Sequence, residues 1–158
     1  MAYWKRTHTT LAAILVATLT ATLFTAPTHA KELAIWDQLQ GTNPKGYVLL
    51  MRHALAPGVG DPENFNVNDC STQRNLNEEG RQDARDIGQW LQRREVKILR
   101  VESSRWCRAK ETAQLLNIGK VRPNKNLDSL FEESDLLNHP QTANIKKRIQ
   151  SHRNTRGL

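Results

Sequence analysis

The apolar run Tyr47-Val48-Leu49-Leu50-Met51 ends on the pair Arg52-His53, and this junction constrains the fold more than any other part of the chain. The run lies behind Pro44 and Gly46 and reads as a short buried strand over residues 46–51. Residues 54–62 hold Pro57, Gly58, Gly60 and Pro62, so the strand opens into a loop. Ligand sites in open α/β sheets form just beyond the carboxyl ends of strands. Arg52 and His53 therefore stand where a phosphate can be held and attacked. Taken alone, they read rather as polar residues that close a strand.

Two further segments strengthen the first reading. Lys97 to Val101 is a second short strand, and the residues after it carry Ala109, Thr112, Ala113 and Leu116 at helical spacing. Ser104 is placed to cap that helix. Between the two strands, Asn77 is a helix cap with Glu78 and Glu79 in the first turn, and Ala84, Ile87 and Leu91 share the face behind it. The spacing predicts helices near 78–94 and 105–117, a last amphipathic helix over 141–150, and a short one around Trp36 and Leu39.

The motifs resemble those of the histidine phosphatase superfamily, the phosphoglycerate mutase-like fold. Arg52-His53-Ala54 is similar to its Arg-His-Gly signature. The stretch from Arg74 through Leu76 and Gly80 to Arg81 resembles its Arg-x-Leu-Thr-x-x-Gly-x segment. The stretch from Ser104 through Arg108-Ala109 to Thr112-Ala113 resembles its Ser-x-x-x-Arg-Ala-x-x-Thr-Ala segment. The three occur in the family's order and spacing, over roughly residues 46 to 135.

The resemblance implies chemistry as well as fold. His53 becomes the nucleophile and forms a phosphohistidine, splitting phosphoester hydrolysis into transfer and release to water. A neutral imidazole suits this because its pKa lies near ~6.5. Arg52 and Arg108 grip the phosphoryl oxygens, with Arg74 a further member of the pocket. Guanidinium is always charged and bonds phosphate oxygens in pairs. Fixed cations there also stabilise the transition state. Arg108 has a second reading as a solvated helix residue, and Arg74 as a turn cap or a partner of Glu78 or Glu79. Asp128, Glu132 and Glu133 are the candidate general acids that protonate the leaving alcohol, with a solvated helix start as the other reading, favoured for Glu133 and Asp135. No cofactor is implied, and no metal-ligand spacing stands out.

The family carries a second histidine after another apolar strand near the C-terminus. Here His152 follows a basic helix-like stretch, and no apolar strand precedes it. The second-histidine role is therefore not assigned to His152, and the chain is expected to lack the C-terminal strand or strands. Losing a transition-state donor typically costs about 10²–10³ in rate, so impaired activity is expected. His139, beside Pro140, reads as a loop histidine.

The expected architecture is a three-layer α/β/α sandwich with a mostly parallel sheet. Strands near 46–51 and 97–102 are expected to be parallel neighbours at its centre, with the helix near 78–94 as the right-handed crossover.

The N-terminus sets the compartment. Lys5 and Arg6 precede the apolar stretch Leu11–Phe24 of 14 residues, and Thr28-His29-Ala30 resembles a small-x-small cleavage site. A membrane span needs ~20 apolar residues. Residues 1–30 thus read as a signal peptide, with an uncleaved anchor as the alternative, and residues 31–158 as one domain exported to the periplasm or secreted. No membrane span is expected once the leader is removed. In an oxidising space, Cys70 and Cys107 suggest a disulfide that ties the loop after the first strand to the start of the Arg108 helix. Two separate thiols are the alternative.

Charge adds a bound. The formal charge of +7 includes Lys5 and Arg6, so it falls by two to +5 without the leader. This surplus favours phosphorylated substrates or anionic surfaces. Much of it lies in Lys146, Lys147, Arg148, Arg153 and Arg156 at the C-terminus, and a basic tail is more often simply solvated. A nucleic-acid partner is disfavoured because no aromatic residues interleave the basic ones. The sequence leaves the oligomeric state open. The expected function is an exported phosphatase acting on a small phosphate monoester. The alternative is a non-catalytic phosphate-binding remnant of the same fold.

Overall fold

A computed structural model describes residues 36–40 and 45–153. The leader, and the C-terminal residues 154–158 that include Arg156, lie outside the described residues.

Helix α1 spans Glu78–Arg93. Its start follows the sequence pattern: the Asn77 side chain accepts the Gly80 N–H at 2.8 Å, and Glu78 and Glu79 face the positive end of the helix dipole. Ala84 and Leu91 are buried as expected, but Ile87 is 37% exposed. Its place on the packed face is taken by Gly80 and Gly88. A Cβ at Gly80 would stand 2.1 Å from the Leu55 carbonyl oxygen, and one at Gly88 would stand 2.0 Å from that of Leu116. The helix thus seats two neighbouring backbones directly against itself, which only glycine permits. Residues 36–40 are helical and lean on the end of α1. Trp36 meets Trp90 edge-on with centroids 4.5 Å apart, and the Arg94 guanidinium lies 4.4 Å from the Trp90 ring centre.

Strand β1 is Val101–Ser103, helix α2 is Cys107–Leu115, and strand β2 is Val121–Pro123. The strands pair in parallel, Val101 with Val121 and Ser103 with Pro123, with α2 as the crossover between them. Helix α3, Pro140–Ser151, then packs on the turn Lys125–Leu127. His139 caps α3 rather than lying idle in a loop: its Nδ1 accepts the Gln141 N–H at 3.2 Å. The described fold is therefore α/β, with a small parallel sheet and helices beside it.

The expectation that 46–51 and 97–102 are parallel neighbours is not met. No backbone hydrogen bond joins the two segments among the described residues. Both segments line one open cleft of about 1290 Å³. The partner of the second strand is instead β2, which lies only one short crossover away. The first segment is also not buried: Leu50 is 65% exposed, and Val48, Leu49 and Met51 are exposed as well. A run of apolar residues reports the tendency to be buried, not what covers it.

Helix α2 begins later than its periodicity suggests, and Ser104 is not its cap. Ser104 Oγ accepts the Trp106 N–H at 3.2 Å in the preceding turn and donates to Asp128. The N–H of Cys107 at the helix start is taken up by the Gln73 side chain, at 2.8 Å, from 34 residues away. Ala113 and Leu116 are buried, together with Arg108 and Thr112.

Candidate active site

One wall of the cleft carries Arg52 and His53. The His53 ring nitrogen Nδ1 lies 2.7 Å from the Ala54 carbonyl oxygen. A carbonyl only accepts, so this contact keeps the proton on Nδ1 and leaves the Nε2 lone pair free. Burial lowers the His53 pKa, and the positive charges of Arg108, Arg52 and Arg74 lower it further; the Ala54 hydrogen bond opposes them and does not prevail. The ring is thereby held neutral below the usual range of histidine.

Ala54 itself is buried, and its N–H donates to Thr112 Oγ1 at 3.0 Å. Thr112 sits one turn after Arg108 on α2 and donates to the Arg108 carbonyl at 2.7 Å. A single hydroxyl thus joins the His53 segment to the arginine helix.

Arg108 is only 5% exposed, although it is a helical arginine. Its Nη1 and Nη2 bond the two carboxylate oxygens of Asp61 at 2.6 and 3.0 Å, and Nη1 also reaches the Arg74 carbonyl at 3.3 Å. Arg74 Nε donates to the Gly60 carbonyl at 2.8 Å, and Nη1 to that of Ala56. Arg74 therefore pairs with neither Glu78 nor Glu79; it fastens the loop 56–61, and desolvation lowers its pKa from the ordinary arginine value. Arg52 is exposed to the cleft.

The Cys70–Cys107 disulfide is formed, with Cα atoms 5.6 Å apart. It links the short helical turn Cys70–Thr72, just before Arg74, to the first residue of the helix that carries Arg108.

The candidate acids separate. Asp128 is buried: it accepts from the Arg105 N–H at 2.8 Å and from Arg105 Nε at 2.7 Å, and does not line the cleft. Glu132 and Glu133 are exposed and line it. His152 also lines the cleft, and its Nδ1 lies 2.7 Å from the Arg148 carbonyl oxygen. Among the described residues there is no cluster of histidine, cysteine and carboxylate groups suited to a metal.

Sequence reasoning missed Asp61, Gln73 and Trp106. Trp106 Nε1 donates to Asp61 at 3.0 Å while its ring stacks on Phe65. Asp61 sits in a Gly- and Pro-rich loop, where an acid looks like a solvated turn residue. Its only sequence signal is the pair of flanking residues Gly60 and Pro62.

A histidine with a free Nε2 and three arginines around one cleft is chemically suited to a phosphoryl group. Comparison with protein families agrees: the description of the histidine phosphatase superfamily (branch 1) matches residues 48–155. The chain belongs to this superfamily. No curated protein matches it. No solved structure matches it.

Proposed function

We propose that this protein is an exported phosphatase that hydrolyses a small phosphate monoester through a phosphohistidine at His53. The observation that carries this reading is the His53 Nδ1 contact with the Ala54 carbonyl, beside three arginines. In the first step His53 Nε2 attacks phosphorus, the bond to the leaving oxygen breaks, and that oxygen takes a proton. Glu132, which faces the cleft, is the proton donor in this reading. In the second step Glu132 takes back a proton from the attacking water, the water oxygen bonds phosphorus, the Nε2–P bond breaks, and inorganic phosphate leaves with the imidazole restored. Arg52, Arg74 and Arg108 hold the phosphoryl oxygens and offset charge in both transition states.

In the same reading residues 1–30 direct export to the periplasm or beyond and are removed, and residues 31–158 form the domain. The oxidised Cys70–Cys107 pair supports an oxidising compartment. The parallel pair β1–β2 then belongs to a three-layer α/β/α sandwich.

The deciding experiment is turnover of an aryl phosphate by the protein beside His53→Ala. The expected result is hydrolysis, with an acid-labile, base-stable phosphoprotein that disappears in His53→Ala. Tight binding of inorganic phosphate without turnover in either protein would favour a phosphate-binding remnant instead. N-terminal sequencing of the exported protein, expected to begin at Lys31, tests the leader.

A further inference from the structure

Arg108 has five N–H groups. The Asp61 carboxylate takes one from Nη1 and one from Nη2, the end of the guanidinium fork. The Arg74 carbonyl takes the other N–H of Nη1. What remains is the side face: Nε–H and the second N–H of Nη2, which have no partner among the described residues. These two groups are parallel and spaced to bond a pair of phosphoryl oxygens. Arg108 lines the same cleft as His53.

Asp61 has no capacity left for another task. Its oxygens also accept from the Arg74 N–H at 3.1 Å and from Trp106 Nε1 at 3.0 Å. Burial would raise its pKa, but the hydrogen bonds from Arg108, Arg74 and Trp106 outweigh burial and hold the group ionised. It is thus a fixed anion with four donors on it.

We propose that Asp61 is a positioning residue of the phosphate site, holding the fork end of Arg108 so that its side face meets the phosphoryl group. This rests on the phosphatase reading above. The carboxylate removes one charge from a three-arginine site and weakens ground-state attraction to phosphate. In return it confines a long, flexible side chain to one orientation before substrate arrives. The opposite role, a carboxylate that stands in for phosphate and blocks the site, predicts opposite kinetics.

The test compares wild type, Asp61→Ala and Asp61→Asn in aryl phosphate turnover and in inorganic phosphate titration of the Arg108 Nε–H NMR signal, assigned through Arg108→Lys. Misplacement by about 1 Å costs on the order of 10²-fold, so kcat is expected to fall by about that factor in Asp61→Ala. KM and the inhibition constant of inorganic phosphate are expected to stay nearly constant or to tighten. Asp61→Asn keeps the shape and one acceptor oxygen and is expected to recover part of kcat. Phosphate is expected to shift the Arg108 Nε–H signal in wild type and to lose that site-specific shift in Asp61→Ala.

Unchanged or increased kcat in the folded variants would overturn the proposal, and an increase would identify a blocking carboxylate. If wild type itself turns nothing over, the phosphatase reading fails while the titration still decides the role of Asp61. A phosphate shift that persists unaltered in Asp61→Ala or Asp61→Asn then refutes it. Should Asp61→Ala not fold, Asp61→Asn supplies both readouts.

Discussion

Thr112 holds Ala54 across 58 residues of chain: its Oγ1 accepts the buried Ala54 N–H at 3.0 Å while donating its own proton to the Arg108 carbonyl. The consequence is that the histidine and the arginine helix share one hydrogen-bonded joint. Thr112→Val keeps the shape and removes the acceptor. A buried N–H left without a partner costs about 1–3 kcal/mol, and the urea midpoint is expected to fall accordingly. Turnover is expected to fall with it, because the backbone next to His53 is released. Full turnover in Thr112→Val under native conditions would show that the joint serves stability alone.

The pH dependence follows from the surroundings of His53. Burial, then Arg108, Arg52 and Arg74, lower its pKa in the folded state, while the unfolded chain keeps a value near ~6.5. Between these two values the unfolded state binds more protons, so stability is lost as pH falls through that window. His53, the proposed nucleophile, stays neutral through the same window, so the acid limb of kcat/KM is expected below ~6.5. Arg52→Gln removes one of the lowering charges. NMR titration of the His53 ring is expected to show a midpoint below the usual value in wild type and a higher one in Arg52→Gln. A midpoint unchanged by the substitution would remove Arg52 from the neighbourhood of the imidazole.

Reducing the disulfide is expected to loosen the arginine pocket. The bridge closes a loop with a sequence separation of 37. In the chain-entropy model this stabilises by about 4 kcal/mol. Cys70→Ser with Cys107→Ser is expected to lower the urea midpoint and to weaken phosphate binding, since Cys107 adjoins Arg108. Thiol titration of the unreduced protein under denaturing conditions is expected to find no free thiol.

The two acids are expected to fail in different ways. Asp128→Ala removes the acceptor for the Arg105 N–H and for Ser104 Oγ, and lowers stability by about 1–3 kcal/mol. It is expected to leave the shape of the pH–rate profile intact. Glu132→Gln is expected to slow hydrolysis of alkyl phosphates, whose leaving oxygen needs a proton, and to spare nitrophenyl phosphate, whose leaving group does not. Equal losses on both substrates would exclude Glu132 as the proton donor.

Local patterns were legible in the residues themselves. Asn77 with Glu78 and Glu79 marked the start of α1 because a cap and its dipole partners act within a few residues. The segments around Arg52-His53, Arg74 and Arg108 pointed to the superfamily for the same reason: each is contiguous. The contact of Ile87 was not legible, because two glycines let the Leu55 and Leu116 backbones approach α1 in its place.

What the sequence by itself determined is the set of chemical groups and the helices that carry most of them, since side-chain type and helical period are properties of neighbours along the chain. Only the tertiary structure decided which groups meet. It paired β1 with β2 rather than with 46–51, turned Gln73 toward the start of α2, sent Asp128 to Arg105, and set Asp61 on Arg108 from 47 residues away. Such contacts depend on how loops close in space, and loop closure leaves no period in a sequence.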